Sequence, residues 1–368
     1  MIVSRLLLVQ MCQRIINYIN VYKKSPLNIN LYSSILLFAM AMFTLPLYVG
    51  ICPSGYTGGI AFAEENNPDQ TTDAKSTKTK ENKNNDTRRE ALRYTYSFGF
   101  PALTFTYAFS SWGWAKRDYW KWSHEGWFGH TTHYGGFDKI GHMFTHYSAM
   151  RLSCSVFNYT ERGSSIQFLY GALLTFLMGL SIEIGDAYSG YGFSYHDLIF
   201  DSTGILIGGL LEAFPKVDAF ISLSLEYWPS AFFRKHPDKI LLMPDDFGGM
   251  IVMANIKLAG FREVGVNIPN FMRYIMIDIG YGVKGYTSYD RRAAWDNYRW
   301  PMRSQNLYVG ISINFMEIVK DFFKDQQSLG CRAAQQVFKY YHIPAGYKHR
   351  VILKESLNIP RMESLHGL

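Results

Sequence analysis

Two stretches of about 20 residues without a single charge, 94–115 and 163–182, constrain this chain more than any other feature. Residues 138–158 carry their charges mostly at the start. Residues 195–214 are apolar apart from His196, Asp197, Asp201 and Glu212. Each stretch has the length of a bilayer-crossing or fully packed helix, and Gly171, Gly179, Gly204, Gly208 and Gly209 would let such helices approach closely. The pattern predicts a compact bundle of about four largely apolar helices, membrane-associated rather than free in solution.

After "EYWPS" (226–230) the period changes from helical to two. In "VMANIKL" the residues Val252, Ala254, Ile256 and Leu258 share a face opposite Asn255 and Lys257. Ile275, Ile277, Ile279, Tyr281 and Val283 alternate likewise, as do Leu307, Val309, Ile311, Ile313 and Phe315. This predicts a small antiparallel β-meander of about three strands. The alternation also resembles outer-membrane strands, but three are too few to close a barrel, so the sheet must pack on the bundle, on lipid or on another copy. The fold class is therefore α+β. From 319 to 368 the chain offers one short helix, near 331–341, and then loop.

At the other end, Lys23 and Lys24 precede an apolar run over 31–51, and "AFA" (61–63) is followed by Glu64. That order predicts a signal peptide or N-terminal anchor over 1–63 and export from the cytoplasm. Residues 64–90 contain no aromatic and no large aliphatic side chain and read as a disordered polar linker. The helical bundle then occupies 91–230, including a Trp-rich segment (Trp112, Trp114, Trp120, Trp122, Trp127) of interfacial character, and the meander 245–318. Cys12 and Cys52 lie in the N-terminal segment. Cys154 and Cys331 show no framework spacing and are expected as two unrelated buried thiols.

The chemistry-bearing residues sit on the apolar helices. Asp138, His142 and His146 fall within a stripe about 80° wide on one helix face. Glu183 and Asp186 are one turn apart near the end of the third helix, and Asp197 and Asp201 one turn apart in the fourth. Antiparallel packing would gather them at one end of the bundle. Carboxylates and imidazoles in such numbers suit a divalent metal or a general acid–base pair. Local structure accounts for some of them: Asp138 as an N-cap, Ser194 and Asp197 as a capping box, His146 as a satisfied core histidine. The catalytic candidates are Asp138, His142, Glu183, Asp186 and Asp201, and the metal candidates His142, Glu183, Asp186 and Asp201 of the same cluster. No nucleophile elbow, phosphate loop, CxxC pair or HExxH is present.

Four blocks in order, "EGWFG" (125–129), "GGFDKIGH" (135–142), "EIGDAYSGYGFSYHDL" (183–198) and "EYWPS", make the chain resemble the YfiM-like group of predicted periplasmic lipoproteins, a family of unknown function, over roughly 92–315. The D-K-x-x-H block with its following acids is more distantly similar to the VanZ-like membrane proteins. The resemblance implies a periplasm-facing place in the bacterial cell envelope. It departs at Cys52, which follows Ile51 where a lipid-acceptor cysteine needs a small residue, and at Asp201, where the family pattern usually carries Asn.

Net charge is +7 without a long basic run, which speaks against nucleic acid and for attraction to anionic lipid. Membrane lipid is the expected partner, with an envelope protein or a second copy as alternatives. The first functional reading is a structural or interaction protein of the envelope. The alternative is an enzyme, metal-dependent with one divalent ion or purely acid–base, acting on a lipid or cell-wall precursor.

Overall fold

The computed structural model describes residues 75–132, 134–160, 166–297, 299–323 and 329–357. The expected signal segment and Cys12 and Cys52 lie outside the described residues.

Helix α1 (Lys75–Tyr107) continues into a short π-helical turn over Ala108–Trp112. The stretch expected as a flexible tether is thus helical from Lys75 onward. Its lysines, glutamates and arginines are good helix formers, and composition alone does not separate a solvated helix from coil. Three helices follow: α2 (Phe137–Thr160), α3 (Ile166–Ala187) and α4 (Tyr195–Ala213). They lie close to the expected boundaries. The short α5 (Pro215–Phe220) leads directly into β1 (Ile221–Tyr227).

Among the described residues the sheet has five strands, not three. After β1 come α6 (Ala231–Lys235), β2 (Met250–Lys257), α7 (Gly260–Glu263), β3 (Ile275–Lys284), α8 (Ser288–Trp295) and β4 (Met302–Ile313). Then α9 (Phe315–Phe322) and α10 (Leu329–Tyr340) precede β5 (Gly346–Leu357). The order is β1-β2-β3-β4-β5, antiparallel throughout, with Leu225, Val252, Tyr281, Leu307 and Val351 aligned across it. The two unexpected strands have local reasons. β1 is short and follows a helix turn without a punctuating loop. β5 carries Lys348, His349, Arg350, Lys354 and Glu355, charges that blunt an edge strand against further pairing and also hide its alternation.

Bundle and sheet share one core. Phe137, Phe144 and Tyr147 of α2 and Leu211 of α4 pack on Leu223, Val252, Val283 and Tyr286. α2 lies closest to α4, because Gly204 rests on the α2 backbone: a Cβ there would stand 2.1 Å from the Met143 carbonyl oxygen. That approach carries Asp201 onto α2.

Farther along the sheet the expected polarity is inverted. Ile256, Ile277, Ile279, Val309 and Ile311 are exposed, whereas Asn255, Asp278 and Ser312 on the opposite face are buried. α3 also presents Leu169, Leu173, Phe176 and Leu177 outward, and residues 167–187 are long and apolar enough to cross a membrane, with a third of their most apolar window (33%) buried. Cys154 and Cys331 are both buried, and among the described residues neither forms a disulfide, as expected.

Candidate functional site: a carboxylate and histidine cluster at α2, α3 and α4

Asp201 sits one turn into α4 and is completely buried. Its Oδ1 accepts from Nδ1 of His142 at 2.9 Å and lies 2.7 Å from Nδ1 of His146. His146 Nδ1 also donates to the His142 carbonyl at 3.0 Å, the i to i+4 relation of one helix face. Both contacts place a proton on Nδ1, which leaves Nε2 as the ring nitrogen that takes up a second proton or, in the neutral ring, offers a lone pair. A carboxylate that fixes a histidine in this tautomer is the arrangement found behind metal-ligating histidines. Gly179 of α3 makes room for the group: a Cβ there would stand 2.7 Å from both Asp201 Oδ2 and His146 Nε2.

Other acids gather near His142, Asp138 on the Nε2 side. Asp138 Oδ1 is 4.0 Å away. The side chains of His142, Glu183 and Asp197 offer ligand atoms within 4.8 Å of one another, as do Glu125, Asp138 and Asp197, and His142, His146 and Asp201. Lys139, itself buried, bridges Glu125 at 3.1 Å and Asp197 at 3.5 Å. Glu183 accepts the Ser194 backbone N–H at 2.8 Å, which ties α3 to the start of α4.

Five carboxylates thus face one lysine and two imidazoles, with Asp186 close by, and the protonation pattern reflects the excess of negative charge. Burial pushes the Glu183 carboxyl up to about 9, with the His142 ring only partly opposing it. Burial and then Asp197 hold Asp138 well above the carboxylate range, so that it keeps a proton. Burial would raise Glu125 too, but the hydrogen bond with Asp138 and the Lys139 ammonium bring it down to about 2. His142 would lose basicity on burial, yet Asp201, Asp197 and Asp138 raise it well above its usual value. Asp201 is held at about 2 against its burial by His142 and His146. Two buried carboxylate oxygens, Asp201 Oδ2 and Asp197 Oδ1, accept no hydrogen bond. In chemical terms the cluster gathers protons on His142, Asp138 and Glu183 at the place where one divalent cation would satisfy the same charge.

Of the residues expected from sequence, Asp138, His142, Glu183 and Asp201 come together. Asp186 stands slightly apart: its Oδ1 accepts the Trp114 indole N–H at 2.8 Å, and burial raises its carboxyl to about 6. Asp138 is the second residue of α2 and faces Glu125 instead of capping the helix. The capping box at Ser194 is half formed. Ser194 Oγ accepts from the Asp197 N–H, but the Asp197 carboxylate turns to Lys139. His146 is the satisfied core histidine expected, buried and bonded to the His142 carbonyl, and it also lies against Asp201. Glu125 and Lys139 were missed because one lies in a loop and the other is a cation in a helix otherwise read for its acids. Trp114, read as interfacial, is 7% exposed and packs inside.

Residues 124–213 match the model of a family described as predicted periplasmic lipoprotein (DUF2279). That span contains every acid, imidazole and ammonium of the cluster and stops before β1. No curated protein and no solved structure matches the chain.

Proposed function

We propose that this is an exported protein of the bacterial envelope whose helical bundle binds one divalent cation and uses it to brace α2, α3 and α4 against the sheet. The observation that carries the reading is the surplus of buried carboxylates around His142, with Asp201 Oδ2 accepting no hydrogen bond and Asp197 Oδ1 held only by its 3.5 Å ion pair with Lys139. His142, Glu183 and Asp197 would be the ligands, Asp138 an additional oxygen donor, and Asp201 the carboxylate that orients His142. Glu125, Lys139 and Asp186 would set the charge around them.

The description of the matching family supports a periplasmic location, and the YfiM-like and, more distantly, VanZ-like resemblance of the same blocks is part of this proposal. Membrane lipid is the proposed partner for the outward apolar side chains of α3 and for Leu206 and Leu210 of α4. On this reading the bundle lies against a lipid surface with its polar cluster turned inward.

The enzyme reading has one observation in its favour. The His142 and Asp138 side chains keep 20% and 17% of their surface open, so a substrate group has a way to the ligand position. A structural metal site is closed, whereas a catalytic one leaves a position free. The chemistry would be metal-assisted or acid–base attack on a lipid or cell-wall precursor.

Thermal melting of the purified full chain tests the cation. Chelation with EDTA should lower the melting temperature, and Mg²⁺, Mn²⁺ or Zn²⁺ should restore it in the wild type but not in His142→Ala. Equal melting with chelator and with every metal would defeat the reading. Structural and enzymatic roles separate in Glu183→Gln: a brace loses stability, whereas an enzyme keeps its fold and loses its cellular role.

A further inference from the structure

A second polar site lies outside the family match, where the buried face of the sheet meets α10. It is a cavity of about 230 Å³ whose walls include Arg151, Lys257, Lys339, Ser222, Asn255 and His342. Its cations differ in how far they are committed. The Arg151 guanidinium is used up: both terminal nitrogens donate to Asp218 at 2.7 Å, and Nε donates to Glu212 at 2.6 Å. Lys339 donates to the same Glu212 oxygen at 3.2 Å. Among the described residues, Lys257 donates to the Asp218 backbone carbonyl and to no side-chain acceptor. Around its ammonium stand Asp218 on one side and Arg151, Lys339 and Lys320 on the other; Arg151 and Lys339 share Glu212, and Lys320 pairs with Glu317. Burial lowers its pKa to about 8, and the Asp218 carboxylate, already engaged by Arg151, only partly opposes this.

The floor is neutral and polar. Ser224 Oγ donates to Asn255 Oδ1 at 2.6 Å, and Asn255 Nδ2 donates to Asp278 Oδ1 at 2.8 Å, which shields that carboxylate from the cavity. His342 lies between Ser312 Oγ at 2.9 Å and Glu226 Oε2 at 3.3 Å, with Asp278 Oδ2 at 3.5 Å. Lys348 neutralises Glu226. Met276 and Phe338 add an apolar wall.

We propose that this cavity binds a small phosphate-bearing molecule, its phosphoryl group held by Lys257 and Lys339 beside the Ser222 hydroxyl and its organic part against Met276 and Phe338. The charge and the donor types choose the class. With the planar Arg151 fork already filled by Asp218, bidentate recognition of a carboxylate is blocked, and two lysine point charges with a hydroxyl suit a tetrahedral oxyanion. A free phosphomonoester and a phospholipid head group share this chemistry.

Calorimetry of the full chain with inorganic phosphate and with glycerol 3-phosphate tests the first source. Flotation with phosphatidylcholine vesicles, with and without phosphatidic acid, tests the second. Lys257→Gln should weaken whichever binding is found by about tenfold or more, while Lys216→Gln, a nearby exposed lysine, leaves it unchanged. Should Lys257→Gln not fold, reductive methylation of the wild type replaces it: phosphate or glycerol 3-phosphate should slow labelling of Lys257 and not of Lys216. Saturable binding that depends on Lys257 in either arm upholds the proposal and names the source. No binding in both arms, binding indifferent to Lys257→Gln, or labelling of Lys257 unaffected by either ligand would overturn it.

Discussion

The two halves of the molecule bury charge with opposite sign. In the bundle, acids outnumber bases: Glu125, Asp138, Glu183, Asp197 and Asp201, with Asp186 close by, face Lys139 and two imidazoles. In the cavity beneath the sheet the surplus is basic, with Lys257 without a carboxylate of its own while Arg151 and Lys339 share Glu212. Neither half is self-sufficient, and each records what is missing in its protonation. Glu183 and Asp138 are pushed up and keep their protons, and Lys257 is pushed down toward losing one. A buried charge network that served packing alone would close on itself, because an unmatched buried charge is costly. The comparison therefore points to a cation in one place and an anion in the other.

The contrast is sharpest if one charge is removed from each half. Asp201→Ala leaves His142 and His146 without their shared acceptor and should cost about 3–5 kcal/mol in chemical denaturation. A loss below about 1 kcal/mol would show that the pair is not what holds α4 on α2. Gly179→Ala tests the same contact from α3. The added methyl meets Asp201 and His146 and should cost about 1–3 kcal/mol, whereas Gly141→Ala, with open space around it, should be harmless. Trp114→Phe keeps the packing but deprives Asp186 of its indole donor, for an expected loss of about 1–2 kcal/mol.

The smallest effect should come from the sheet, with the reverse sign. Lys257→Met removes a buried cation whose neighbouring carboxylate, Asp218, is already taken by Arg151, and should leave stability equal or slightly higher at neutral pH. A pH series gives the sign independently. The folded-state value of Lys257 lies near 8, below its unfolded value, so above pH 8 the unfolded chain binds the extra proton and the wild type gains stability relative to Lys257→Met as pH rises. The gap between the two proteins should thus narrow up to about pH 10. A gap that widens over that range would mean that Lys257 is an ordinary paired lysine.

How much of this was legible in the sequence differs between the halves for a physical reason. The bundle site is local: Asp138 and His142, and Asp197 and Asp201, are each one turn apart on one helix, and charge-free surroundings make them stand out. What escaped was the contribution of non-helical and dual-use residues, Glu125 from a loop and Asp197 from a helix start that looked fully explained as a cap. The sheet site is non-local. Lys257 comes from β2, Arg151 from α2, Lys339 from α10 and Ser222 from β1, and no spacing within one element links them. Its polar face also looked like the solvent side of a half-buried strand. In the fold Asn255 and Asp278 are inside while Ile277 and Ile279 are out, because α10 and His342 cover the polar side and the bundle reaches only part of the apolar one.

The cation is the central claim, and metal content tests it most directly. Protein purified gently from the envelope fraction, without chelator, should carry close to one equivalent of a divalent metal by elemental mass spectrometry. The amount should fall to background in His142→Ala and remain in Lys257→Gln. Metal-free wild type, unable to take up magnesium, manganese or zinc on dialysis, would contradict the account and leave the cluster as a proton-sharing network.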